Sequence, residues 1–155
     1  MAASPKPRSA SVTEMTEYVL PQHATVGGTV FGGQIMAWVD LCAAICAQRH
    51  AGMQCVTVFV DDLWFKRPVR VGQVVRLRAE VTAAFRTSME IDVAVHGEDT
   101  ITGERWPTVE CRMTFVGMGR DSKPAGVPPL LLESDADRAA QAAAEARRRA
   151  RLAKR

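Results

Sequence analysis

The sequence predicts an α+β domain in which one long buried helix is wrapped by a curled antiparallel sheet. From Ile35 to Ala47 every residue but Asp40 is apolar, as expected of a helix buried on all sides. Two later stretches alternate apolar and polar residues. Val75, Leu77, Ala79 and Val81 alternate with Arg76, Arg78 and Glu80, and Met89, Ile91, Val93 and Val95 with Glu90, Asp92 and Ala94. A period of two marks strands with one face on a core and the other in water. The order is one strand, one long helix, then four strands.

Taken in turn, residues 1–10 read as a disordered leader, rich in Ser, Pro and basic residues. They contain no apolar stretch of secretory type. The domain is expected over residues 11–118. It opens with a weakly marked strand from Val12 to Leu20, followed by a turn-rich loop from Pro21 to Gly33. The helix runs from Gly33 to about His50 and stops at Ala51-Gly52. Cys55 to Phe65 is dense in β-branched residues and reads as a strand, broken by Lys66-Arg67-Pro68. After the two alternating strands, Thr102-Gly103 marks a turn, and Val109, Cys111, Met113 and Phe115 form the last strand. Residues 119–132 are a Gly/Pro linker. Residues 133–155 form a basic, Ala/Arg-rich helical tail, with Ser134-Asp135-Ala136-Asp137 as its start. That helix has almost no apolar face and needs either a docking partner or solvent all round.

Composition narrows the function classes. With 155 residues, 47% of them hydrophobic and 24% charged, the chain suits one domain with a real core. No apolar run is long enough for a membrane span. Cys42, Cys46 and Cys111 lie in apolar surroundings, as reduced thiols would. Cytoplasmic residence is therefore expected. The net charge of +3 sits entirely after residue 132, with seven basic and four acidic residues there against 13 and 13 before it. A basic tail on a neutral body points to a local anionic partner and away from nucleic acid.

Asp40 is the candidate for chemistry, because a carboxylate buried without a partner costs several kcal/mol by order of magnitude. The helix is entered through Gly27-Gly28 and Phe31-Gly32-Gly33-Gln34. Glycines there let a ligand approach the backbone, and free N–H groups at the positive helix end suit a developing oxyanion. Gly33 and Asp40 share a helix face but stand roughly 10 Å apart along the axis. If both serve one reaction, they belong to different protomers, with antiparallel helices across a dimer. Cys42, Cys46 and His50 are spaced like ligands on one helix face, but read as core residues, and no metal is expected. Asp61 and Asp62 point to opposite strand faces, one solvated and one paired with a base such as Lys66. His23 suits a general base or, at least as well, a hydrogen-bonding loop residue, and Trp38 reads as core.

Further segments sharpen the reading: Trp38-Val39-Asp40, His50-Ala51-Gly52, Val56-Thr57, Val60-Asp61-Asp62, Val71-Gly72-Gln73-Val74, Thr87-Ser88-Met89-Glu90 and Thr114-Phe115-Val116. With Gly32-Gly33-Gln34 they resemble the hotdog-fold acyl-CoA thioesterases, and in particular one hotdog unit of the cytosolic acyl-CoA and acetyl-CoA hydrolases. The resemblance implies hydrolysis of acyl-CoA to a fatty or short-chain acid and coenzyme A, with no cofactor. It gives Asp40 the role of activating water or attacking the carbonyl. Thr25 stands where the family commonly has an assisting asparagine. It implies substrate contacts at Val58, Phe59 and Val60, at Thr87, Ser88 and Met89, and at Arg149 for coenzyme phosphate. It also implies self-association as a dimer or trimer of dimers. The alternatives are an acyl-CoA hydratase or dehydratase of the same fold, or a non-catalytic acyl-CoA-binding unit.

Overall fold

A computed structural model describes residues 3–155. Five antiparallel strands form one sheet: β2 (Thr13–Tyr18), β3 (Gln54–Phe65), β4 (Val74–Ala84), β5 (Ser88–Glu98) and β6 (Arg105–Met118), in the spatial order β2-β4-β5-β6-β3. The helix α1 (Gly32–Ala51) packs across one face. This is the predicted α+β architecture. The alternation holds where it was read: Leu77, Ala79, Val81, Met89, Ile91, Val93 and Val95 are all buried in one core with α1. Ending α1 requires Gly52, whose φ of 68° is left-handed and whose N–H donates to the carbonyl of Gln48.

The helix differs from expectation in one respect. It is buried on one side only. Ile35, Trp38, Val39, Cys42, Ala43, Cys46 and Ala47 face the sheet, whereas Met36, Leu41 and Ile45 are exposed and so is Asp40. An all-apolar sequence carries no periodicity to say which face meets the protein's own sheet. The edge strand β3 likewise exposes Val56, Val58 and Val60.

The leader is not disordered over the described residues. Lys6–Pro7 forms β1, which pairs in parallel with β7 (Leu130–Leu131), and Arg8–Ala10 makes one 3-10 turn. The anchor is Arg8, which donates to the carbonyl of Val81 and pairs with Glu80 and Asp137. Its first two residues lie outside the described residues. The Gly/Pro linker also carries core residues, Val127 and Leu130.

The tail forms α2 (Asp135–Leu152), capped by the Ser134 hydroxyl, which accepts from the Asp137 N–H. It has a docking partner: the outward side of the sheet. Gln141 bonds both the N–H and the carbonyl of Ala84, and Ala144 is buried beneath it. Among the described residues no helix is long and apolar enough to cross a membrane.

Candidate active site

The carboxylate of Asp40 lies on the open face of α1, and the side chain that meets it comes from β3. The Thr57 hydroxyl donates to Asp40 Oδ1 at 2.6 Å. The sequence reading names Thr57 only within the segment Val56-Thr57 and gives it no role. Its signal was a threonine placed among valines on the strand that follows the helix. Local backbone geometry explains its aim. The ladder between β3 and β6 shifts register between Thr57 and Phe59, leaving Val58 as an extra residue. A bulge breaks strict alternation, so Thr57 faces α1 while Phe59 faces α2.

The entry to α1 is bare of side-chain caps: Phe31 at the cap position contributes none, and Gly33 is exposed. A Cβ at position 32 would meet the Phe65 ring at 3.1 Å, so that half-exposed ring would have to give by a few tenths of an ångström. Thr25 sits in the preceding turn, closed by its N–H donating to the Thr29 carbonyl at 2.8 Å and by Gly28 at φ 80°. Its hydroxyl donates to the same carbonyl at 3.2 Å. Within one protomer no hydrogen bond joins Thr25 or Gly33 to Asp40 among the described residues. His23 accepts the Leu20 N–H through Nδ1 and meets Trp38 edge-on with ring centroids 5.0 Å apart. That is the structural loop role.

Substrate positions divide in the same way. Val58 and Val60 are exposed, and Phe59, Thr87 and Ser88 are half-buried. Met89 has its side chain fully buried in the core. It belongs to the inward row of β5, and only its backbone can approach a ligand. Arg149 is exposed and forms no ion pair among the described residues. The tail residue that reaches a predicted contact is Arg151, whose guanidinium lies 4.6 Å from the Phe59 ring centre. Helical spacing accounts for this, because 147, 148 and 151 share the docked side of α2 and 149 does not. Arg147 makes a forked pair with Glu90, and that bond raises its already high pKa. Phe59, Asp61, Arg147, Ala150, Arg151, Lys154 and Arg155 together line a groove of 480 Å³. A groove of similar size, 510 Å³, lies on the outer sheet face among paired charges such as Asp92 with Arg112 and contains none of the predicted site residues.

Other clusters resolve into structure. Cys42 Sγ donates to the Thr13 carbonyl, and burial pushes the Cys42 and Cys46 thiols up to about 11. The Nε2 of His50 contacts the Pro128 carbonyl at 2.8 Å. Among the described residues no three His, Cys, Asp or Glu side chains gather as a metal would require. The expected partner of the Asp61-Asp62 pair is corrected: Lys66 pairs with Glu110 instead. A second bulge follows Asp61, before Trp64, with Asp62 at φ 40°, so strict alternation does not hold past Asp61.

Comparison with known proteins supplies the family. Residues 27–104 match the thioesterase superfamily. The chain is 36% identical over 138 residues to the acetyl-coenzyme A thioesterase of Rattus norvegicus, covering 89% of this chain and 25% of that protein. It thus spans about a quarter of that relative's length. The crystal structure of an apo-hexameric acyl-CoA thioesterase superposes with a TM-score of 0.91 at 35% identity, covering 98% of this chain and 97% of that one. An acyl-CoA hydrolase from Staphylococcus aureus, solved with butyryl coenzyme A, coenzyme A and coenzyme A disulfide, gives a TM-score of 0.86 at 32% identity over 96% of this chain and 91% of that one. Further structures of that hydrolase carry alanine for an aspartate, for an asparagine fifteen residues before it, and for a threonine seventeen residues after it. With a hotdog architecture and this match over half its length, the chain belongs to the thioesterase superfamily.

Proposed function

We propose that this protein hydrolyses acyl-CoA thioesters in the cytoplasm, with Asp40 as the group that activates water or attacks the carbonyl. The observation that carries the reading is the Thr57–Asp40 bond on an open apolar face. Thr25, Asp40 and Thr57 stand at the same intervals, fifteen and seventeen residues, as the three altered positions of the Staphylococcus aureus hydrolase. Thr57 occupies Oδ1 and orients the carboxylate, leaving Oδ2 toward the reacting centre. In the water route, Asp40 takes a proton as the water oxygen bonds to the acyl carbon. The C–S bond then breaks, and the coenzyme thiolate recovers that proton. In the nucleophile route, the carboxylate oxygen displaces the thiolate and water cleaves the resulting anhydride. Both routes need a donor for the carbonyl oxygen, and the backbone N–H of Gly33, at the positive end of α1, suits that task.

That donor comes from a second copy. Gly33 stands roughly 10 Å along the axis from Asp40, too far for one carbonyl to meet both. Met36, Leu41 and Ile45 beside Asp40, with Val56, Val58 and Val60 on β3, offer an apolar face for that copy. A dimer, or a trimer of such dimers, closes the site. The coenzyme runs outward past β3 and Ser88 to the basic end of α2. The test is coenzyme A release, followed with a thiol reagent over acyl-CoA chains of several lengths, with identification of the acid product. Release of coenzyme A with free acid supports hydrolysis. A hydrated acyl-CoA would instead indicate the hydratase chemistry of this fold, and tight binding without turnover a binding unit.

A further inference from the structure

Burial does little to hold α2 in place: Ala144 is its one buried residue. Polar contacts hold it instead. Asp137 ties its first turn to Arg8, and Gln141 ties its middle to Ala84. Along its C-terminal half, the one hydrogen-bonded tie to the sheet among the described residues is Arg147 on Glu90. Glu90 is 4% exposed, although its strand pattern would place it in solvent. Arg147 donates to it through Nη2 at 2.6 Å and Nε at 3.1 Å, and the Thr82 hydroxyl adds a bond at 2.9 Å. Both oxygens of the buried carboxylate are thus occupied, in the forked geometry specific to arginine.

The register of the sheet gives this pair its leverage. Glu90 on β5 is opposite Thr114 on β6, and Thr114 is opposite Phe59 on β3. The three form one outward row, about 10 Å from end to end at the usual strand spacing. Arg147 sits at one end of that row and Arg151, one helical turn further on, at the other. Lys154 and Arg155 follow into the same groove. Arg147 has its charge met by Glu90, whereas Arg151, Lys154 and Arg155 form no ion pair among the described residues. The bond at one end of the row therefore fixes where three cations fall at the other, in a groove whose lining holds one carboxylate side chain, Asp61, against them.

We propose that Glu90 and Arg147 are a positioning pair that holds the last turn of α2 over β3, so that Arg151, Lys154 and Arg155 grip the phosphates of the coenzyme. The proposal rests on the acyl-CoA reading above. The pair touches neither the thioester nor Asp40, so its loss acts on binding and leaves the chemical step alone.

The test compares Glu90→Gln, Arg147→Lys and Arg8→Met with the wild type in steady-state kinetics and in direct calorimetric binding of coenzyme A. Glu90→Gln is expected to raise KM and the coenzyme Kd about tenfold, with kcat within about twofold, and to flatten the dependence of KM on added salt. Arg147→Lys keeps one charged contact and should give a smaller rise. Arg8→Met loosens the far end of α2 and should leave KM unchanged. If Glu90→Gln fails to fold, Glu90→Gln with Arg147→Met removes both charges and should give the same KM and salt response. Unchanged KM and Kd in the folded pair variants would overturn the proposal. So would an equal rise in Arg8→Met, which would mean that any loosening of the helix suffices. A wild type that binds coenzyme A without hydrolysing its thioesters would overturn the activity reading instead, and the pair would still be scored by Kd.

Discussion

The two helices are held by opposite means. α1 is fixed by burial: a whole side of it, from Ile35 to Ala47, lies in the core, each large apolar side chain there contributing on the order of 1.5–3 kcal/mol. α2 has one buried alanine and hangs on individually placed polar bonds. The helix anchored by area can expose a carboxylate on its other side without losing its place, and in the proposed function it carries the chemistry. The helix anchored by point contacts is positioned by register, and in that same proposal it carries affinity. Substitutions on α1's open face should therefore move kcat, and substitutions on α2 should move KM.

The largest effect is expected at Asp40. Asp40→Ala should lower kcat by about a hundredfold or more while leaving a folded oligomer, measured by coenzyme A release beside circular dichroism and sedimentation. Near-wild-type turnover would take catalysis off α1. Next comes the exposed apolar face. Leu41→Arg places a charge among Met36, Ile45 and Asp40, and should shift sedimentation to the monomer with activity falling in step. An active monomer would show that the site needs no second copy. Thr57→Val removes the bond to Asp40 and should lower kcat about tenfold, since hydrogen bonds to charged groups are among the strong ones. Thr25→Asn should keep or raise that activity and Thr25→Val lower it modestly.

On α2 the effects are smaller. Arg151→Gln should raise KM severalfold and Arg149→Gln much less, because the first lies on Phe59 and the second faces away. Equal shifts would return Arg149 to the site. The smallest effect concerns α1's last turn and is read in stability. Burial holds the His50 pKa below its usual 6.5; the Pro128 carbonyl opposes this and Lys6 adds to it. The unfolded chain then takes up a proton that the folded chain refuses. Stability should be full above about pH 7 and fall as pH drops through 6.5. His50→Gln should flatten that slope in denaturant titrations between about pH 7 and 5.

The sequence disclosed what periodicity can carry. The strand alternation placed Met89, Ile91 and Val95 in the core, and the break at Gly52 ended the helix. It did not disclose what depends on long-range placement. The outward position of Asp40 was hidden because the residues on both sides of α1 are apolar. Glu90 looked solvated because nothing local announces a helix arriving from residue 147. Thr57 was hidden by a bulge, which no run of valines foretells. The leader looked disordered because the strand partner of Lys6–Pro7 lies far along the chain, at Leu130–Leu131.

That last pairing bears on how the chain survives a protease. The turn from Gly119 to Lys123 is exposed at Arg120, and a trypsin cut there would sever the covalent route from the sheet to α2. The piece that follows would not leave. Val127 and Leu130 are buried, the Pro128 carbonyl holds His50, and β7 lies on β1. Beyond them Asp137, Gln141 and Arg147 remain on Arg8, Ala84 and Glu90. A nicked protein would run as two bands on a denaturing gel and as one particle on a sizing column, and it would keep its basic groove.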